Sequence, residues 1–284
     1  MNSTQKSWLV GTDWLNEQLG DPHLVVFDAT WYIPSVKTDA RRQYLDEHIP
    51  NALFFDIDDI CDITTHLPHM LPNPIKFSAK MRRLGVGDGM TIVVYDHLDL
   101  FSAARAWWMF RAMGVSDVYV LDGGMKKWTD EDRPVDEYPH RPRIERHFTA
   151  RINHDIIATR AKVLEAVKTG NAQIVDARPK DRFCGTAPEP RPGVRPGHIP
   201  GSMSVPRTEL LNEDGTMKDA DGIKAVFTDA GVDLSKPIIT TCGSGITAAV
   251  PFLALSQIGH EEHSLYDGSW AEWGADHGLP IETG

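Results

Sequence analysis

Gln173-Ile174-Val175-Asp176-Ala177 followed by Gly197-His198-Ile199-Pro200-Gly201 is the stretch that decides the fold, because both blocks occur earlier in the chain. There they read Val25-Val26-Phe27-Asp28-Ala29 and Glu47-His48-Ile49-Pro50-Asn51. Working outward, Thr91-Ile92-Val93-Val94-Tyr95-Asp96 returns as Pro237-Ile238-Ile239-Thr240-Thr241-Cys242, and Leu121-Asp122-Gly123-Gly124 with Trp128 returns as Tyr266-Asp267-Gly268-Ser269 with Trp273. Four blocks in one order at a nearly constant offset are two copies of one domain. This predicts a first domain over residues 1–138, a linker over 139–154 and a second domain over 155–284. The segment from Glu137 to His154 is polar, contains proline and lacks periodicity, as a connector along a surface would.

Within each copy, short β-branched runs alternate with longer helical stretches. The runs at 24–27, 91–95, 118–121, 173–175, 238–241 and 263–266 are too short for buried helices and read as core strands of a largely parallel sheet. Helices are expected over Thr12 to Leu19, Ser78 to Leu84, Ser102 to Met113, Arg160 to Lys168, Gly222 to Ala230 and Thr247 to Gln257. The fold class is therefore α/β, with tandem domains that each carry a mostly parallel sheet flanked by helices on both faces. In such folds ligands gather at the carboxyl ends of the strands, which is where chemistry is sought.

Composition narrows the function classes. The 284 residues are 41% hydrophobic and 24% charged, as in an ordinary soluble globular protein, and the length suits two domains. A formal charge of −11 repels phosphate backbones and anionic headgroups, so neither nucleic acid nor a membrane is an expected partner. The first ten residues lack the charged and apolar regions of an export signal, and no run approaches a membrane span. Three cysteines, Cys61, Cys184 and Cys242, with no C-x-x-C spacing, argue against a disulfide framework or a structural zinc. No cofactor and no metal are expected, and a reducing, cytoplasmic compartment is.

The duplication also acts as an internal control. His48 and His198 occupy the same His-Ile-Pro turn in both copies, so both read as structural histidines bonding backbone. Asp122-Gly123 and Asp267-Gly268 read as turns after a strand. The asymmetry lies at Asp96, whose counterpart is Cys242 followed by Gly243-Ser244-Gly245-Ile246-Thr247-Ala248. Glycines and serine before a helix permit a nest of inward N–H groups, and the helix adds the positive end of its dipole. Such surroundings favour a thiolate, against the alternative of a buried inert cysteine. Pro251 fits only a first helical turn, which sets the helix start near Thr247.

The chemistry open to that sulfur can be narrowed. A cysteine phosphatase needs arginine six positions after its nucleophile, and here that residue is Ala248. No signature places a histidine beside Cys242 as a protease would need. What remains is a sulfur that accepts and donates an atom, its persulfide charge held by N–H groups. A loop unique to the second copy, Arg178, Asp181-Arg182-Phe183-Cys184-Gly185 and Glu189-Pro190-Arg191-Pro192-Gly193, offers Arg182 and Arg191 as a fork for a small carboxylate. Gly85-x-Gly87-x-Gly89 precedes a strand and is read as a turn, not a dinucleotide loop. Trp107-Trp108 reads as core or interdomain packing, and Asp56, Asp58, Asp59 and Asp62 as a solvated acidic turn.

With these residues in view, the chain resembles the two-domain rhodanese-like sulfurtransferases over nearly its whole length, in the branch that uses 3-mercaptopyruvate. The resemblance rests on Cys242 to Ala248, Arg182-Phe183 with Glu189-Pro190-Arg191, Gly197 to Gly201, Asp96 in place of cysteine, Phe54-Phe55-Asp56-Ile57-Asp58 and His69-Met70-Leu71-Pro72. It implies an inactive first domain and transfer of sulfur from 3-mercaptopyruvate through a Cys242 persulfide to a thiol or cyanide, releasing pyruvate. A protein thiol such as thioredoxin is an implied acceptor. Cys242 would be the nucleophile and Arg182 and Arg191 the keto-acid clamp. Ser244, His69 and Asp58 would relay a proton to the departing enolate, while Gly243, Ser244, Gly245, Ile246 and Thr247 would cradle the persulfide. Thiosulfate-preferring relatives carry basic residues after the cysteine, whereas Gly243 and Ser244 are neutral, which favours mercaptopyruvate. Thiosulfate:cyanide transfer and a persulfide-carrier or redox-sensing module are the alternatives. Cys184 has two readings, an inert thiol or a redox partner of Cys242.

Overall fold

The computed structural model describes residues 6–138 and 143–284. The first part of the expected linker, residues 139–142, lies outside them. The first sheet contains β1 (Leu9–Val10), β2 (Leu24–Asp28), β3 (Leu53–Phe54), β4 (Thr91–Tyr95) and β5 (Val118–Leu121), in the order β1-β5-β4-β2-β3. The second contains β6 (Ile157–Ala158), β7 (Gln173–Asp176), β8 (Met203–Ser204), β9 (Ile238–Thr241) and β10 (His263–Tyr266), in the order β6-β10-β9-β7-β8. The two orders are the same topology, and every pairing is parallel. The six strands read from apolar runs are the central three of each sheet. The four missed strands are two-residue edge pairings, too short to leave a pattern.

All six expected helices form, with shifted ends. The one expected from Ser78 begins at Pro74, because Asn73 caps Lys76 N–H and a proline suits the first helical position. The one expected from Thr247 begins at Ala249, so Pro251 falls in its first turn. Helices Ala103–Ala112 and Ala249–Gln257 are buried almost throughout and pack against each other, with the Trp107 and Phe252 rings 5.9 Å apart. A single apolar cluster thus runs through both domains, from Val25 and Phe110 to Phe252 and Leu265, while a separate cluster covers the outer face of each sheet. Trp107 and Trp108 are fully buried, as core packing requires.

The connector lies on the first domain. Thr149 N–H donates to Asp88, Arg151 N–H to Met113 O, and Phe148 is buried among the first domain's aromatics. Both His-Ile-Pro histidines bond backbone, His48 Nδ1 to Tyr44 O at 2.7 Å and His198 Nδ1 to Phe183 O at 2.8 Å. The two Asp-Gly turns carry more than turn chemistry. Asp122 accepts from Met217 N–H of the second domain, and Asp267 accepts from Leu71 N–H of the first, each at a distance below 3 Å. These reciprocal bonds set the carboxyl edge of the second sheet against the first domain.

Candidate active site

β9 is wholly buried and delivers Cys242 to the carboxyl edge of the second sheet. Cys242 O accepts from Trp270 N–H and Gly243 O from Ala271 N–H, so helix Ser269–Trp273 anchors the start of the loop. Gly245 takes φ +80, and a Cβ there would lie 2.7 Å from Asp267 O, so only glycine fits without displacement. Among the described residues, the N–H groups of Gly243, Ser244, Gly245, Ile246 and Thr247 donate to no protein acceptor.

The first domain shows what such a loop can do. Asp96, at the position of Cys242, accepts from Leu98 N–H at 2.8 Å and from Ser102 and Ala103 N–H at 2.7 Å each. The loop after β4 therefore wraps an internal anion with its own backbone donors. Burial pushes the Asp96 carboxyl up, and those three donors pull against it. In the second domain the N–H groups from Gly243 to Thr247 are left for an anion carried on, or brought to, Cys242, whereas Ala249 N–H, the counterpart of the Ala103 donor, turns to Ile246 O.

A cavity of about 470 Å³ opens between the domains, with Cys242, Gly243, Ser244, Ile246 and Thr247 on one side. Gly245 is not on its wall; its carbonyl faces away, toward Arg105. Arg182 and Arg191 both line the cavity. Arg182, on the short helix Lys180–Phe183, is not the free fork expected: its Nη2 lies 2.5 Å from Glu189 Oε2. The other Glu189 oxygen takes Arg178 Nη1 at 2.9 Å. Arg178 also grips both oxygens of Asp176, donates to Gly197 O and covers the Trp270 ring at 4.6 Å. The second-domain loop is thus held by a buried network in which Glu189 aims Arg182. Burial pulls the Arg191 guanidinium below its usual value, opposed by the charges of Cys242, Glu189 and Asp58.

His69 and Asp58 come together on the first domain. His69 Nε2 lies 3.2 Å from Asp58 Oδ1, and that hydrogen bond, helped by one from Trp31 Nε1, holds the Asp58 carboxyl below its usual range. The His69 ring meets Trp31 edge-on at 4.7 Å, and its buried Nδ1 has no hydrogen-bond partner. Trp31 touches both residues and lines the cavity. Asp56 caps the short helix Ile57–Ile60, so the acidic turn is partly a capping device. Cys184 is not on the cavity wall and ends helix Lys180–Phe183.

Two arginines were not found from sequence. Arg105 is fully buried in helix Ala103–Ala112, donates to His69 O and Gly245 O, and pairs with Asp267. A charge inside the apolar run Ala103-Ala104-Arg105-Ala106-Trp107-Trp108 was the available signal, since such a charge is almost never fully buried without a partner. Arg207 lines the cavity with its guanidinium 4.9 Å above the Phe101 ring. Nothing in its local sequence distinguishes it.

Comparisons with known proteins agree with this architecture. The rhodanese-like domain model matches residues 11–131 and 159–276. A 3-mercaptopyruvate sulfurtransferase of Escherichia coli K12 is 46% identical over 97% of this chain and 98% of its own length. A thiosulfate sulfurtransferase of Rattus norvegicus is 42% identical over 93% of this chain and 91% of its own. The crystal structure of SseA from Escherichia coli, a 3-mercaptopyruvate sulfotransferase with the rhodanese fold, superposes with a TM-score of 0.86 at 43% identity, covering 93% of this chain and 99% of that one. With two sheets of one topology, two matching segments and relatives alike along nearly their full length, the chain belongs to the rhodanese-like domain family and carries two copies of the domain.

Proposed function

We infer that this protein is a 3-mercaptopyruvate sulfurtransferase, which moves sulfur from that donor through a Cys242 persulfide to a thiol. The observation that carries the reading is the contrast between the two nests, one filled by the Asp96 carboxylate and the other open beside Cys242. The Cys242 thiolate attacks the donor's sulfur, the carbon–sulfur bond breaks, and its electron pair leaves as the enolate of pyruvate. The new terminal sulfur takes the place that the carboxylate holds in the first domain, where the free N–H groups stabilise its charge. Arg182 and Arg191 bind the donor's carboxylate, Arg182 in the orientation that Glu189 imposes. The enolate then needs a proton at carbon. His69, held by Asp58 through Nε2 and reaching the cavity wall only through its contact with Trp31, is together with Ser244 the relay we assign to that step.

Thiosulfate is the competing donor, on the strength of the similarity to the rat thiosulfate sulfurtransferase. The neutral Gly243 and Ser244 beside the sulfur favour the singly charged keto acid over a dianion. We also propose the domain limits 1–138 and 155–284, a cytoplasmic site of action and thioredoxin as one acceptor. No helix among the described residues is long and apolar enough to cross a membrane.

The test is intact mass after brief exposure to each donor, together with the steady-state rate of pyruvate formation from mercaptopyruvate in the presence of a thiol. Wild-type protein gains one sulfur atom from mercaptopyruvate and Cys242→Ser gains none. Equal pyruvate rates in the two proteins would end this reading. A higher kcat/KM for thiosulfate than for mercaptopyruvate would transfer it to the competitor.

A further inference from the structure

The donor is small, with seven non-hydrogen atoms, yet the cavity over Cys242 measures about 470 Å³, within the roughly 300–1,000 Å³ of pockets that enclose drug-sized ligands. Arg182 stands against the start of the cysteine loop: a Cβ on Gly243 would lie 3.0 Å from its Nη2. The wall supplied by the first domain is of different character. It consists of Trp31, Ile33, Pro34, Ser35 and Phe101, apolar but for one hydroxyl, with the Trp31 and Phe101 rings stacked 6.2 Å apart at 8°. Ile33 remains 42% exposed at its rim.

Arg207 reaches this wall from the second domain. It follows β8, its Nη1 donates to Asp99 O at 3.0 Å, and its guanidinium covers Phe101. Among the described residues it makes no carboxylate ion pair, whereas Arg182 is paired with Glu189. The acids whose charge it feels are Asp96 and Asp99, and the Asp96 oxygens are taken by three backbone donors. Burial lowers the guanidinium's affinity for its proton, so the site gains from an anionic partner. In a protein of net charge −11, an anionic substrate is drawn in only by such local cations.

We propose that Arg207, with Phe101, Trp31 and Ile33, forms an acceptor subsite separate from the Arg182–Arg191 clamp, selecting thiols that carry a carboxylate. The acceptor thiolate attacks the outer sulfur of Cys242–S–SH. The sulfur–sulfur bond breaks, the Cys242 thiolate is regenerated, and the acceptor leaves as R–S–SH. The apolar wall covers the acceptor's carbon chain while Arg207 takes its carboxylate.

This inference rests on the sulfurtransferase reading, and one experiment separates their failures. Enzyme is loaded with mercaptopyruvate, the persulfide is verified by mass, and its discharge is timed with 3-mercaptopropionate and with neutral 2-mercaptoethanol. Wild type, Arg207→Met and Arg207→Lys are compared, so the intrinsic reactivity of the two thiols cancels between variants. Methionine keeps an apolar stem over Phe101, which preserves packing. In Arg207→Met the kcat/KM ratio of 3-mercaptopropionate to 2-mercaptoethanol falls about tenfold, the scale of one charge-assisted hydrogen bond, while Arg207→Lys retains part of it. The wild-type ratio also declines with added salt. A ratio unchanged in Arg207→Met, or an equal loss with both thiols, would overturn the subsite. So would a rise in the mercaptopyruvate KM with acceptor selectivity intact. Failure of the persulfide to form in wild type would instead overturn the enzyme reading.

Discussion

Arg105 Nη1 lies 2.7 Å from Asp267 Oδ1, and the arginine has no exposed surface, so an ion pair inside the protein joins the first domain to the loop edge of the second. The same guanidinium donates to His69 O and Gly245 O and covers the Trp108 ring at 4.5 Å. One side chain therefore fixes both the backbone of the histidine and that of the cysteine loop. The first domain, which carries Asp96 where the second carries Cys242, supplies this clamp.

Arg105→Met should uncover that role. Removing one partner of a buried pair leaves Asp267 charged and uncompensated, a loss of about 3–5 kcal/mol in denaturant unfolding. Persulfide formation from mercaptopyruvate should slow as well. Arg105→Met combined with Asp267→Leu should recover stability relative to Arg105→Met alone, because no charge is then stranded. Recovery of stability without recovery of rate would show that the clamp positions the loop. Full activity in the stable double variant would refute a positioning role.

Gly245→Ala tests the loop geometry directly. Its φ of +80 strains any residue with a Cβ, and that Cβ would meet Asp267 O at 2.7 Å. A loss of about 1–3 kcal/mol is expected for the strain. Persulfide yield should fall further than stability does, since the displaced carbonyl carries the neighbouring N–H groups with it. Gly231→Ala, also at positive φ but with open space around its Cβ, serves as the control that strains the backbone without touching the loop. Equal persulfide yields in the two variants would contradict the nest.

Asp58→Asn examines the proton relay. The hydrogen bond from His69 holds the Asp58 carboxyl below its ordinary value, so the carboxylate is ionised throughout the neutral range. A depressed native pKa contributes stability that is present above the unfolded value, about 3.9, and lost as pH falls through the native one. The stability difference between wild type and Asp58→Asn should therefore be constant from pH 8 to 5 and vanish in stronger acid. If His69 passes the proton, kcat for pyruvate release drops by about 100-fold, at the low end for general acid–base catalysis, with the donor KM nearly unchanged. An unaltered kcat would remove His69 and Asp58 from the chemistry.

Duplication made most of this fold readable. Buried parallel strands such as Leu24–Asp28 are apolar up to their last residue, and each run occurs twice, so chance similarity is ruled out by order. The edge pairings Leu9–Val10 and Met203–Ser204 last two residues and depend on neighbours distant in sequence, which no local pattern encodes. The site divides along the same line. Cys242 and its glycine loop are consecutive, and the contrast with Asp96 exposed them. Arg182 and Arg191 were legible as residues, but the Glu189 contact that aims Arg182 depends on how the loop closes. His69 and Asp58 needed the family resemblance, because their partnership spans a turn with no periodicity. Arg105 and Arg207 act across the domain boundary, where sequence separation hides the partner entirely.

His263 gives a pH prediction far from the chemistry. It sits at the start of β10, Nε2 lies 2.8 Å from Ser256 Oγ, and its ring meets Phe252 at 4.3 Å. Burial, together with the charges of His260 and Arg111, lowers its pKa to about 4. The unfolded chain holds this group near 6.5, so below that pH the unfolded state binds the proton that the folded state refuses. Stability is thus unaffected by His263 above about pH 7, falls steadily as pH drops from 6.5, and levels off near pH 4. Because Phe252 also meets the Trp107 ring, acid weakens the packing between the two domains' central helices. His263→Gln keeps a side-chain amide for Ser256 and removes the titration. Its melting temperature should sit at or below that of wild type at pH 7.5 and lose less on acidification to pH 4.5. Parallel losses in the two proteins would show that the folded chain protonates His263 as readily as the unfolded one does, and would refute the prediction.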